Sequence, residues 1–472
     1  MSKKIGVVSL GCDKNRVDTE KMLWYLSDGD YEVTADYADA DIIIVNTCAF
    51  IESARKEAIE TILEMAKYKT DGKCKKLIAT GCLVEKYRAE LEKEMPEVDA
   101  FLGIGEYEKI RACIGEDVPA AAPNDDRILT TPPHYAYMRI ADGCDNFCTF
   151  CTIPSIRGKY RSRTLESLSA EAKKLADNGV KELILVAEDV TSYGKDLYGK
   201  PSLLPLLREL TKYDFKWIRL MYCYPELVTD ELIDEIAANP KIAKYIDIPM
   251  QHVSDSVLKR MNRRSNYAEL CVLCEKLKNH GIALRTTFMV GFPGETEEDF
   301  KLLVDFARKY KPENLGVFAF SKEDGTPAAR LKGQLPKAEK LKRVKALGKL
   351  NLENVKELNA SLVDSVVEVV YEDVDYDRGM FKGRTQFNAP EIDKNVYFTG
   401  DFADVGCFYK VKITGYDEYD LIGEPLNELT DYNYHYEIGV DSRFHRAVFN
   451  TVPVSSVRGD RGFHYRKPYR LA

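Results

Sequence analysis

Three apolar, β-branched runs near the N-terminus each end in a cysteine: IGVVSLG before Cys12, DIIIVNT before Cys48 and KKLIATG before Cys82. Helix-like sequence follows each one: RVDTEKMLWYLSD, SARKEAIETILEMAKY and VEKYRAELEKEM. Strands that alternate with helices predict a parallel sheet joined by crossovers. In open sheets of that kind, ligands bind beyond the carboxyl ends of the strands. Three thiols at three such ends therefore predict one convergent site, although the chain separates them widely.

The alternation covers residues 1–120. Residues 121–135, rich in Pro, Ala and Asp, read as a linker. From 136 the alternation resumes, with strand candidates AYMRIA, ELILVAE, WIRLMYCY, YIDIPM, IALRTTFMVG and NLGVFAF. About six such β/α units predict an incomplete β/α barrel, and a long charged helix ending near Leu362 completes a domain at 136–362. Short alternating β runs with frequent turns predict a small all-β barrel over 363–424. A Tyr- and Arg-containing tail, 425–472, follows, for which disorder is expected.

The chain holds 472 residues and 12 cysteines, with a net charge of −8. No run is long and apolar enough to predict a spanning helix, and MSKKIGVVSL lacks the apolar region of a signal peptide, so a cytoplasmic location without membrane association is expected. Disulfides are then disfavoured, and metal or catalytic use of cysteine is the better expectation. The negative balance argues against a chain that coats nucleic acid. Cys271 and Cys274 form a CxxC at helical spacing and read as buried helix residues. Cys74, Cys113, Cys223 and Cys407 are isolated.

The sharpest chemical signal is GCDNFCTFC, which carries Cys144, Cys148 and Cys151. Three thiolates at CxxxCxxC spacing after a strand suit three irons of a 4Fe-4S cluster, with the fourth iron open. A structural zinc ion is the alternative, but it needs a fourth ligand, and the nearest His, His134, precedes the strand. This motif resembles the radical S-adenosylmethionine (SAM) enzymes. The resemblance implies that the open iron chelates SAM and that reduction yields a 5′-deoxyadenosyl radical. It also implies cofactor contacts for Gly291 and Gly294 in GFPGETEEDF, for Glu188 and Asp189 in AEDVTSYG, and for Phe150 beside the adenine. Turn, loop and core roles remain open for each of these. Gln251, at a strand end facing the expected cavity, is a further cofactor candidate.

A split cysteine triad on a flavodoxin-like domain, ahead of the barrel and a small TRAM-like β domain, resembles the methylthiotransferases. The resemblance spans residues 1 to about 424. It implies two 4Fe-4S clusters, the auxiliary one on Cys12, Cys48 and Cys82. One SAM would methylate sulfur at that cluster, and a second would supply the radical that opens an unactivated C–H bond. SLGCDKN, CTIPSIRG, DIPMQH, APEID and DEYDLIGE resemble the branch that modifies an aspartate of small-subunit ribosomal protein twelve. Asp13 departs from that branch, which commonly has Pro there. Residues 364–424 hold fourteen Asp/Glu against six Lys/Arg, a poor surface for phosphate contacts, so this TRAM module is expected to meet a protein rather than RNA. An aspartate substrate needs a cation, and Arg157 or Arg161 in RGKYRSR is the candidate; binding the cofactor's carboxylate is the alternative. An electron donor and a sulfur source are further expected partners. The competing functions are the same chemistry on a transfer RNA adenosine, and a non-catalytic metal-binding module.

Overall fold

The computed structural model describes residues 3–27, 29, 31–116, 125–400 and 404–426. The tail from 427 onward, and residues 121–124 of the expected linker, lie outside the described residues.

The N-terminal domain is a five-stranded parallel sheet in the order β2-β1-β3-β4-β5, which is flavodoxin-like. Its strands are β1 (Lys3–Ser9), β2 (Tyr31–Thr34), β3 (Ile42–Thr47), β4 (Lys76–Gly81) and β5 (Ala100–Leu102). The central β3 is buried at all six positions, as a strand covered by helices on both faces must be. The edge strands β2 and β5 are short and carried no clear signal in the sequence.

The helix Asp13–Ser27 is unusual, because Lys14, Asn15, Asp18, Thr19 and Glu20 are buried alongside Val17, Met22 and Leu23. One face packs on its own sheet and the polar face packs on the next domain. Glu20 is held there by Arg127, which also reaches Glu171 at 2.9 Å, and Glu20 accepts the Thr130 amide at 2.8 Å. The described part of the expected linker is thus anchored by buried ion pairs.

The second domain begins with β6 (Tyr135–Arg139) and a small antiparallel pair, β7 (Ala141–Asp142) and β8 (Arg161–Ser162). β9 (Glu182–Val186), β10 (Trp217–Leu220), β11 (Ile242–Asp247), β12 (Ala283–Val290) and β13 (Asn314–Ala319) complete a six-stranded parallel sheet in the order β13-β12-β11-β10-β9-β6. The two end strands do not pair, so the barrel is partial. Side chains alternate across it. Ala136, Met138, Leu183 and Leu185 face the helices, whereas Tyr137, Ile184 and Val186 face the interior.

The helix Lys337–Leu362 leads to a closed barrel formed by β14 (Val366–Asp375), β15 (Met380–Arg384), β16 (Val396–Phe398), β17 (Phe408–Asp417) and β18 (Asp420–Pro425). Its loop 385–393 enters the partial barrel. Ala389 joins the interior cluster, the Gln386 carbonyl accepts from Arg219 at 2.8 Å, and the Tyr245 hydroxyl donates to Asp393 at 2.9 Å. Glu391 receives both terminal nitrogens of Arg16, at 2.8 and 3.0 Å. Glu372 bonds Arg384 and His134. Several acids counted as surface charge are therefore spent on holding this domain to the others.

Candidate active site

β1, β3 and β4 are neighbours in the sheet, and Cys12, Cys48 and Cys82 stand just beyond their C-terminal ends. Two glycines allow the close turns. Gly11 has φ +92°, and a Cβ there would lie 2.9 Å from the Cβ of Cys48. Gly81 also has φ +92°, and a Cβ there would lie 2.2 Å from Asn46 Oδ1. Asn15 stitches the strand ends together, its Nδ2 donating to the carbonyls of Leu10 at 2.9 Å and Thr47 at 3.0 Å. Cys82 Sγ lies 3.5 Å from the Asn15 side-chain oxygen. Burial pushes the Cys48 thiol up to about 11, and the neighbouring Cys12 adds to the shift. Burial also raises Cys82; the Arg157 guanidinium opposes this, while Cys48 and Cys12 reinforce it.

Cys144, Cys148 and Cys151 lie in the loop between β7 and the short helix Ile153–Ile156. Both nitrogens of Asn146 sit 3.5 Å from Cys144 Sγ, and the Ile153 amide donates to Cys151 Sγ at 3.4 Å. The Tyr224 hydroxyl is 3.4 Å from Cys148 Sγ, and Arg263 stacks 4.1 Å from the Tyr224 ring centre. Burial pushes Cys144 up to about 12, and burial with the nearby Cys148 raises Cys151.

Among the described residues no three His, Cys, Asp or Glu side chains converge tightly enough to hold one metal ion. A zinc site draws its thiolates to about 2.3 Å from a single point. Ligands of an iron–sulfur cluster each take a separate iron and need not meet. Buried thiols that repel one another's charge are donors that a bound cation deprotonates. Each triad offers three cysteine sulfurs, a donor set of the kind that holds a 4Fe-4S cluster.

Residues from both domains fill the space between the triads. Arg157, with 1% of its side chain exposed, donates to Asn15 Oδ1 at 2.8 Å, Asp18 Oδ2 at 2.9 Å and Asp142 Oδ1 at 3.1 Å. Arg139 takes the other oxygen of Asp18. The Thr152 hydroxyl donates to the Phe50 carbonyl at 3.4 Å, joining the segments that follow Cys151 and Cys48. Lys14 reaches across to Glu188, 3.6 Å away, and lies 3.8 Å from the Tyr222 ring centre. The Tyr222 hydroxyl donates to Asp13 at 3.1 Å. Asp13 thus accepts a hydrogen bond from the barrel, a role that proline cannot take. Burial raises its carboxyl, with Lys14 and Arg16 opposing.

The other sequence candidates are distributed around this region. Glu188 borders the joint, whereas Asp189 organises its own loop, accepting from Thr191, Ser192 and Asn146 at 2.6 to 3.1 Å. Phe150 packs edge-on to Phe292, 6.4 Å between ring centres. Gln251 has φ +69° and its backbone bridges Thr287 and Met289 of β12. Gly291 and Gly294 follow β12; Glu295 accepts the Gly291 amide at 2.5 Å, and Gly294 lies beside Arg260. Arg161 is at the surface, donating to the carbonyls of Lys159 and Arg157. Sequence reasoning missed Lys14, Asn15, Asp18, Tyr222 and Tyr224. The available signal was the polar run KNRVDTE in a helix that buries both faces.

Three family models match: the Radical SAM superfamily over residues 138–307, the Uncharacterized protein family UPF0004 over 4–103, and the TRAM domain over 363–426. A protein of Acetivibrio thermocellus named ribosomal protein uS12 methylthiotransferase RimO is 48% identical over 451 residues, covering 91% of this chain and 99% of the relative. One of the same name from Clostridium botulinum is 48% identical over 438 residues, covering 89% and 97%. Among solved structures, the radical S-adenosylmethionine methyltransferase TsrM of Kitasatospora setae, with tryptophan and a SAM analogue bound, aligns at TM-score 0.50 and 15% identity over 79% of each chain. That likeness concerns the fold.

Proposed function

The chain belongs to the ribosomal protein uS12 methylthiotransferase (RimO) family, and from that premise we propose that it adds a methylthio group to the β-carbon of an aspartate in uS12. The observation that carries the proposal is the meeting of two cysteine triads, from separate domains, across one buried polar joint.

Cys144, Cys148 and Cys151 would hold the SAM-binding 4Fe-4S cluster, and Cys12, Cys48 and Cys82 an auxiliary one. When bound, these groups supply a 5′-deoxyadenosyl radical on one side and transferable sulfur on the other. The chain's own contribution is placement and exclusion of water. Arg157 neutralises Asp18 and Asp142 and holds the two domains in register. Tyr224 and Arg263 cover Cys148, while Asn146 and the Ile153 amide direct N–H groups at the other two sulfurs. Phe150, Glu188, Asp189, Gln251, Gly291 and Gly294 are the proposed surroundings of SAM. Of the two candidates for holding the substrate carboxylate, Arg157 has both terminal nitrogens engaged and Arg161 is exposed.

The reaction further requires an electron donor and a sulfur source, and its ribosomal substrate implies work in the cytoplasm. We assign the TRAM domain a protein-facing role, supported by its excess of acid. Anaerobic turnover with purified uS12 and purified transfer RNA, read by mass spectrometry, tests the proposal. A methylthio mass gain on uS12 is expected, and a gain on transfer RNA alone would refute it.

A further inference from the structure

Lys14 is buried, with 1% of its side chain exposed, yet its ammonium has no hydrogen-bond partner among the described residues. Glu188 Oε2 lies 3.6 Å away, beyond hydrogen-bond reach, and Glu188 Oε1, 3.7 Å from Arg157 Nε, also has no hydrogen-bond partner. Glu188 and the face of the Tyr222 ring, 3.8 Å away, balance the charge, but the N–H donors stay unused and free to take an acceptor. The location says what could arrive. Lys14 extends from the first turn after Cys12, while Glu188 and Tyr222 follow the C-terminal ends of β9 and β10. The ammonium therefore stands at the mouth of the barrel, in the joint that separates the two triads. Arg157 is close by, but its terminal nitrogens already serve Asn15, Asp18 and Asp142. Arg161 is 59% exposed and turned back onto backbone carbonyls.

We propose that Lys14 binds the β-carboxylate of the substrate aspartate, an inference that rests on the aspartate-modifying function above. An ammonium on a flexible stem has three donors, so it can turn toward an incoming carboxylate while staying beside Glu188. The carboxylate carbon is bonded to the reacting β-carbon. Fixing the one fixes the other between the triads, which is the positional gain that a reaction of two bound partners needs. The same contact gives specificity, because an asparagine side chain would offer the ammonium a neutral amide oxygen in place of a second carboxylate.

The test measures binding of fluorescently labelled uS12, and of uS12 with its target aspartate changed to asparagine, to the anaerobically reconstituted enzyme. Wild-type enzyme should prefer the aspartate form by about tenfold or more, and Lys14→Met should bind the two forms within about twofold. Lys14→Arg should retain most of the preference, and both variants should match wild type in iron content. A preference that survives Lys14→Met overturns the assignment. If Lys14→Met does not fold, Lys14→Gln takes its place, and a preference that survives there overturns the assignment. Failure of the underlying function looks different: wild-type enzyme cleaves SAM but neither binds nor modifies uS12, and the inference falls with it.

Discussion

The two cysteine triads solve the same problem by opposite means. Cys144, Cys148 and Cys151 share one short loop, positioned by β7, Asn146 and the Ile153 amide, so local sequence holds most of what aligns them. Cys12, Cys48 and Cys82 come from three strands, and only the pairing of β1, β3 and β4 brings them together. The contiguous triad is a motif; the split triad is a consequence of a fold. The first should tolerate changes in the sheet, and the second should register them.

The largest effect should follow from attacking the contiguous triad. Replacing Cys148 with Ala should abolish SAM cleavage and lower iron to about four per chain from about eight. Production of 5′-deoxyadenosine reads the first quantity and iron analysis the second. Replacing Cys12, Cys48 and Cys82 together should also halve the iron and stop methylthio transfer, yet leave SAM cleavage in place. If cleavage vanished as well, the division of labour between the triads would be wrong.

The next test strikes the joint. Arg157→Met leaves Asp18 with Arg139 alone and takes the direct hydrogen bond from Asp142, and breaking buried ion pairs from one side costs up to about 3–5 kcal/mol. Denaturant unfolding of the apo protein should show that loss. Gly81→Ala forces a side chain onto Asn46 in a left-handed backbone position, with a cost of about 1–3 kcal/mol. It should deplete iron from the split triad and spare the contiguous one, which iron analysis combined with SAM cleavage can separate. An equal loss from both would erase the contrast. Smallest of all, Arg161→Ala at the exposed end of the same basic loop should change stability by less than about 0.5 kcal/mol in the same denaturant assay.

Much of this was legible beforehand because it is written in local periodicity. All six barrel strands overlap the runs named as strand candidates, β11 beginning three residues before its run, and the flavodoxin-like sheet follows from apolar runs that each hand over to a helix. The helix Asp13–Ser27 shows where such reading stops. Its polar residues look solvated in the sequence, yet Lys14, Asn15 and Asp18 are buried because a second domain covers that face. The acid-rich C-terminal domain gives the same lesson. Counting charge treated Glu372 and Asp393 as surface, whereas Arg384 and His134 hold the first and Tyr245 the second.

The sequence by itself determined the family, the strands and helices, and the identity of six cysteines, since repeat spacing and a nine-residue loop are properties of neighbours in the chain. The tertiary structure alone decided what Asp13 and Lys14 do. Their partners, Tyr222 and Glu188, lie far along the chain in another domain, and only burial of both surfaces together turns side chains that would otherwise be hydrated into one dry, charged joint.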